Sequence, residues 1–309
     1  MISQIEWQHG LRGVIERSLT RINPQLTKVE QNELVWSAQK NADTNLDYTV
    51  MIILSAGLAT LGLLTNSVAV IIGAMLVAPL MSPISGFSTG MATGLLVLTR
   101  RASLTLLQGV ILALLISIAM GVLSPIDVPT PEMTSRGSPG ILDAAVALVS
   151  GLVAAYASAR KGIPAALAGV AIAAALMPPV CTIGLGVALQ KIDLAIGATL
   201  LFLANITFII ASQYIMFLWL GMRPDESREG VTANLTRIWW GILAGLTAFV
   251  LFVFLQLGSQ AIDEVQVRNR LDDEVFLNGD VVDFRQISNV PLTIQITVKS
   301  DSSIQPDQV

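Results

Sequence analysis

Seven apolar runs, each about as long as a bilayer is thick, leave this chain few ways to fold. A hydrocarbon core about 30 Å across takes on the order of 20 residues of helix, and the runs 48–66, 67–98, 102–123, 141–159, 162–189, 192–220 and 238–258 meet that length. With no water at that depth to satisfy N–H and C=O groups, only helices and closed barrels span lipid. Runs this long and this uniformly apolar read as helices, so the expected fold class is an all-α polytopic membrane protein with seven transmembrane (TM) helices. Composition agrees, with 53% hydrophobic and 13% charged residues, against about 25% charged in soluble domains. The single Cys181 and single His9 exclude an internal disulfide framework and a Cys- or His-rich metal centre. Residues 1–46 hold no apolar segment with a small-residue cleavage site, so the first span is expected to act as its own insertion signal.

Lys and Arg sort to one side if the N-terminus is cytoplasmic. Arg12, Arg17, Arg21, Lys28 and Lys40 lie in the leader, and Arg100, Arg101, Arg160, Lys161, Arg223, Arg228 and Arg237 join them on that side. The short outer loops keep Arg136 and Lys191, the distribution that the positive-inside rule describes. Trp219, Trp239 and Trp240 then fall at the cytoplasmic boundary, and seven crossings place the C-terminus outside. The run 67–98 is too long for one straight crossing: at about 1.5 Å per residue it would reach roughly 48 Å. It must tilt, break or split. A full hairpin there would carry Arg100, Arg101, Arg160 and Lys161 outside, so a single broken crossing is expected.

Sliding the chain against itself by 96 residues aligns "APLMSPI" (78–84) with "AALMPPV" (174–180). In the same register Asp47 meets Asp143, Ala59 meets Ala155, Gly73 meets Gly169, Gly90 meets Gly186 and Leu104 meets Leu200. Three spans per copy is an odd number, so the second copy lies upside down: an inverted 3+3 repeat with TM2 and TM5 broken at matching positions, a pattern of transporters whose sites lie at the midplane. The organisation expected is a cytoplasmic amphipathic helical leader (1–46), two TM repeats (47–123 and 124–220), a cytoplasmic loop with TM7 (221–258), and an acidic tail (259–309).

Prolines carry the chemistry of this reading. Pro79 and Pro83 free the carbonyls of Met75 and Pro79, and Pro178 and Pro179 free those of Ala174 and Ala175. Such groups are tolerated at membrane depth only when buried in protein or facing a water-filled cavity. Ser82, Ser85, Ser88 and Thr89 follow the first break and Thr182 the second, placing hydroxyls to bond those carbonyls or a passing solute. Half-helix N-termini after the breaks would favour an anion and the preceding C-terminal ends a cation, which leaves charge selectivity open. A pair of proline kinks repaired by neighbouring hydroxyls is the plainer alternative. Asn205, midway along the sixth span, either lines a cavity or bonds a facing helix. Gly86, Gly90 and Gly94 make a face for close helix packing. Asp47 and Asp143, at the starts of spans one and four, read as helix caps ahead of a gate or proton relay. No carboxylate lies deep in a span, and no catalytic constellation, phosphate loop, cofactor motif, metal box or nucleic-acid patch occurs, so enzymatic activity is not expected.

The stretches "NSVAVIIGAMLVAPLMSPISG", "AALMPPV" and "LLFLANI" (200–206) resemble the domain-of-unknown-function 389 family, hydrophobic membrane proteins of bacteria and archaea without an agreed activity. The likeness covers roughly residues 45–220, with Asn66, Ser67, Gly73, Pro79, Pro83, Pro179 and Asn205 matching the family pattern. It implies a multi-pass protein of a prokaryotic cell membrane and leaves the substrate open.

Both ends lie outside that likeness. Leu11, Val14, Ile15, Leu19 and Ile22 recur at helical spacing among Arg12, Arg17 and Arg21, a basic amphipathic helix for the cytoplasmic bilayer surface or for docking on the protein itself. Residues 259–309 carry nine acids against four bases, and "PLTIQITVKS" alternates as a half-buried strand does. So short a tail rarely makes a core alone, so packing on a second copy or on a membrane-complex partner is expected, through it or through residues 1–46. Two functions are compatible with this: a channel or transporter of small ions or solutes with its pathway at the paired proline breaks, or a structural, partner-binding membrane protein that organises a larger complex.

Overall fold

The computed structural model describes residues 25–160, 163, 165–224, 241, 245, 279–289 and 292–300. Contacts divide the chain into two compact units, Met1–Val250 and Leu251–Val309. In the first unit the described helices are α1 (Lys28–Asn41), α2 (Leu46–Leu64), α3 (Val68–Val77), α4 (Met81–Thr93), α5 (Leu96–Leu123), α6 (Pro131–Gly137), α7 (Ile141–Ala159), α8 (Ala165–Ala188) and α9 (Ile192–Trp219). Local chemistry sets their starts. Thr27 and Glu30 form a capping box on α1, the Asn45 side chain accepts from Tyr48 N–H at 2.7 Å, and Thr130 accepts from Met133 N–H with Pro131 in the first turn of α6.

Among the described residues α2, α5, α7 and α9 are long and apolar enough to cross a membrane, and the pair α3–α4, bent by 52° at the break, makes a fifth where the two are taken as one broken span. Hydrogen bonds fix which ends lie together. At one end Tyr48 O–H donates to the Thr105 carbonyl at 3.1 Å, Thr105 O–H donates to the Ala42 carbonyl at 2.7 Å, and Arg101 pairs with Asp43 at 3.6 Å. At the other end of α2, Thr130 O–H donates to the Leu63 carbonyl at 2.7 Å and the Asn66 side chain accepts from Glu132 N–H at 3.0 Å. Helices α2 and α5 are therefore parallel, and α3–α4 together run from one end of α2 to the other. The α1 end also holds the close of α9, where Leu26 N–H donates to the Leu220 carbonyl at 2.8 Å.

Small residues let these helices approach closely, as lipid-embedded packing requires. A side chain on Gly151 of α7 would meet the Ile209 carbonyl of α9 at 2.6 Å, and one on Gly62 would meet the Ile71 backbone N of α3 at 2.9 Å. Two turns share one design. After α4, Leu95 N–H donates to the Gly90 carbonyl at 2.8 Å with Gly94 at φ 69°; after α8, Lys191 N–H donates to the Gly186 carbonyl at 2.8 Å with Gln190 at φ 56°. These are left-handed helix terminations that hand the last carbonyls to the following residues.

Several sequence expectations change here. Helix α8 runs unbroken through Pro178 and Pro179, so TM5 is not a broken helix; the Ala175 carbonyl that Pro179 leaves without a donor is served from another helix, as described below. The run 67–98 ends at Thr93 and the third span begins at Leu96, which puts Arg100 and Arg101 inside α5. Gly94 is consequently the helix-ending residue and not a member of the packing face. Gly86 does lie against neighbours, 3.3 Å from the Ala102 side chain and 3.4 Å from that of Ala42 at the added-Cβ position. The leader helix expected around 11–22 lies outside the described residues, as does the seventh span 238–258 apart from Gly241 and Gly245, both helical. In the second unit, β1 (Gly279–Asn289) and β2 (Leu292–Ser300) form an antiparallel pair with Phe284 opposite Ile296 and irregularities after Val281 and Gln286.

The α8–α9 turn gives a direct test. A Cβ at Gly186 would sit 2.9 Å from Ala195 N, a backbone atom that cannot move aside, whereas Gly57 has open space. Gly186→Ala should cost about 1–3 kcal/mol in unfolding from micelles, as overpacking does, with Gly57→Ala close to neutral.

Candidate functional site

The break between α3 and α4 lies at mid-depth. Ser55, the tenth of nineteen residues in α2, donates its hydroxyl to the Ala74 carbonyl at 3.0 Å, holding one of the last carbonyls of α3 just before Ala78 turns extended at ψ 119°. Pro79 sits in the break and Pro83 in the first turn of α4, where a missing N–H costs nothing because it would have no helical partner. Ser82 shares that first turn, and Met75 lies near the end of α3.

On α8 the same chemistry is solved differently. Pro179 leaves the Ala175 carbonyl without its i+4 donor, and the Asn205 Nδ2 of α9 donates to it at 2.7 Å. This pairs Asn205 with the residue next to Ala174 and joins two of the sequence candidates in one contact. Asn205 is the fourteenth of 28 residues in α9, so this bond too lies at mid-depth. The remaining amide atom, Asn205 Oδ1, is buried without a partner among the described residues.

Helix α4 is sheathed in protein, packing on α1, α5, α8 and α9. Its glycines face inward: Gly86 toward α1 and α5, Gly90 toward Thr99 of α5. Ser85, Ser88 and Thr89, three and four residues apart, form a separate stripe, and all three hydroxyls are buried without a partner among the described residues. Thr182 of α8 and both amide atoms of Gln213 of α9 share that condition. The contrast with neighbouring hydroxyls is sharp. Thr60, Thr93, Ser117, Ser158, Thr199 and Thr207 each donate to the carbonyl four residues back at 2.6–2.9 Å. The stripe on α4 and Thr182 make no such bond among the described residues.

The candidates thus divide. Ser85, Thr89, Thr182 and Asn205 carry unpartnered polar atoms on three helices that pack on one another; Pro79, Pro83, Pro178 and Pro179 act through the backbone. Ser88, one of the hydroxyls expected after the first break, joins the first of these groups, and Gln213 is the residue that the sequence reading did not single out. The available signal for Gln213 was an amide inside a 28-residue apolar helix. Asp47 and Asp143 lie away from this group: Asp143 Oδ2 accepts from Gly140 N–H at 2.9 Å as a helix cap, while Asn45 caps the helix that contains Asp47. Among the described residues no group of His, Cys, Asp and Glu is placed to hold a metal ion.

Fold and site together define an integral membrane protein built around a broken apolar helix. Residues 75–211 match the family described as Domain of unknown function (DUF389), the family that the sequence resembles. It is similar to an uncharacterized protein of Methanocaldococcus jannaschii, MJ0678, 27% identical over 230 residues that cover 72% of this chain and 71% of that protein. No solved structure matches.

Removing a hydroxyl that bonds nothing should cost nothing. Ser88→Ala with Thr89→Val should leave the thermal midpoint unchanged or raise it, since an unpartnered buried polar group is itself a penalty. Asn205→Leu strips the Ala175 carbonyl of its donor and should lower stability by about 1–3 kcal/mol; unfolding in the same micelles compares the two.

Proposed function

We propose that the protein is a channel or transporter of small ions or solutes, with its pathway along the unpartnered polar groups of α4, α8 and α9. One observation carries the reading: those groups occupy successive depths. Thr182 lies seven residues beyond Ala175 on α8, and Gln213 lies eight residues beyond Asn205 on α9. The two helices run in opposite directions, so Thr182 and Gln213 fall on either side of the Asn205–Ala175 contact. At about 1.5 Å per residue the three levels span roughly 22 Å, most of a hydrocarbon core about 30 Å thick. Helix α4 runs the same way as α9 and adds Ser85, Ser88 and Thr89 to the half that contains Gln213. Each unsatisfied group in lipid costs several kcal/mol, a cost offset wherever water or a solute passes.

An inverted 3+3 repeat supports the same reading. Moved by 96 residues, α2 falls at 142–160 beside Ile141–Ala159, α3 with α4 at 164–189 beside Ala165–Ala188, and α5 at 192–219 on Ile192–Trp219. The termination at Gly90–Leu95 likewise maps onto Gly186–Lys191. One difference stands out: the first copy is broken at 78–80, while the second is a continuous helix weakened by two prolines. Two halves of one design in different conformations are what alternating access about a midplane site requires. The positive-inside count puts the N-terminus in the cytoplasm.

Proteoliposome flux across a panel of ions and neutral solutes tests this. Wild type should pass at least one of them, and Gln213→Leu should reduce that flux about tenfold or more while keeping the wild-type elution profile. Absence of flux for every solute overturns the proposal. Removing residues 1–24 and 259–309 should leave flux intact; a loss of partner association on the same truncation, with no flux in the parent, would favour the scaffold reading. For orientation, Ser135→Cys should react with a membrane-impermeant maleimide in intact cells and Lys40→Cys only after lysis, the native Cys181 being buried.

A further inference from the structure

The polarity of the midplane can be read from one side chain. Asn205 is 4% exposed, and its Nδ2 is committed to the Ala175 carbonyl, an acceptor that no donor of its own helix can reach because residue 179 is proline. Exchange of the two amide atoms would set oxygen against oxygen, so the orientation is determined by chemistry. Its Oδ1 is therefore an acceptor of fixed position, buried at mid-depth and unpartnered among the described residues. The hydroxyls of Ser85, Ser88 and Thr89 turn to donate or accept as needed, and the Gln213 amide offers both. The C-terminal end of α3 and the N-terminal end of α4 meet at the same break, so their opposite end charges largely offset. Asn205 Oδ1 is left as the group whose polarity cannot adapt, and it repels an anion.

From this we infer that the pathway selects a monovalent cation, held near mid-depth by uncharged oxygens with Asn205 Oδ1 as the fixed ligand, an inference that rests on the transport reading above. The charge follows from what the spans lack. No Asp, Glu, Lys, Arg or His occurs between residues 48 and 99, 165 and 190, or 194 and 222. Divalent cations are ordinarily bound with carboxylates, and a proton relay needs a titratable side chain. Hydroxyl, amide and backbone carbonyl oxygens suit an ion of single charge that sheds part of its hydration shell.

The test uses the full chain purified in detergent, with thermal unfolding followed in chlorides of lithium, sodium, potassium, rubidium and choline, in the matching gluconates, and in glycerol. One alkali cation should raise the midpoint saturably and independently of the anion. Asn205→Leu should abolish the cation effect, whereas Ser88→Ala with Thr89→Val, eight or more residues beyond the break and so about 12 Å from that level, should keep it. A stabilisation that follows the anion or appears with glycerol overturns the inference. So does an equal response to choline and every alkali ion, or an undiminished cation effect in Asn205→Leu. Neutral-solute flux without a cation effect sinks this inference alone, whereas a saturable cation effect without any flux sinks the transport reading.

Discussion

Every carbonyl at membrane depth must find a donor inside the protein, and the four prolines at 79, 83, 178 and 179 break that rule unless the surrounding helices repair it. The structure answers in two ways. Around Pro79 the helix stops and restarts, with Ser55 of the neighbouring helix holding the Ala74 carbonyl and Pro83 moved into a first turn where no bond is lost. Around Pro178 and Pro179 the helix continues, and Asn205 reaches across from α9 to serve the Ala175 carbonyl. One break and one cross-helix bond are alternative solutions to the same deficit.

Both repairs depend on how closely the helices approach. Glycines at 62, 151, 186 and 197 sit where a side chain would strike the backbone of the next helix, so the spacing that lets Ser55 and Asn205 reach their carbonyls is written into small residues. Helix α1 adds to this from outside the spans, lying over Gly86 and tied to the end of α9 through Leu26. The result is that α4, a thirteen-residue helix rich in Ser, Thr and Gly, is enclosed by protein instead of lipid. A sequence this polar is tolerable at membrane depth under that condition.

Much of the architecture was legible in advance, because period and length are properties of the chain alone. The runs 48–66, 102–123, 141–159 and 192–220 fall on α2, α5, α7 and α9, the 32-residue run 67–98 is divided by a break, and the 96-residue register matched element boundaries to within about a residue. Other features were not. The proline pair on α8 is adjacent where the pair of the second run is four apart, and Pro79, which sits in the break, meets Ala175 in the repeat register; both pairs read as breaks from sequence, yet one helix breaks and the other does not. The donor that serves the Ala175 carbonyl in the unbroken helix is Asn205, 30 positions along the chain on the facing helix. Gly94 read as part of a packing stripe because its spacing from Gly86 and Gly90 is helical, and its left-handed φ became visible only with the turn.

The same division holds for the site. From sequence alone came the inventory: uncharged hydroxyls and amides, prolines that free carbonyls, and no carboxylate deep in any span. Composition determines which chemistry is possible, since a side chain's donors and acceptors are intrinsic to it. Tertiary structure decided which of those groups are already satisfied. Thr60 and Thr207 bond their own helices, Ser55 and Asn205 bond others, and the polar atoms of Ser88, Thr89, Thr182 and Gln213 are left without a partner among the described residues. Satisfaction is a relation between two atoms, and for Ser55 and Asn205 the second atom lies on another helix, brought within reach only when the chain has packed.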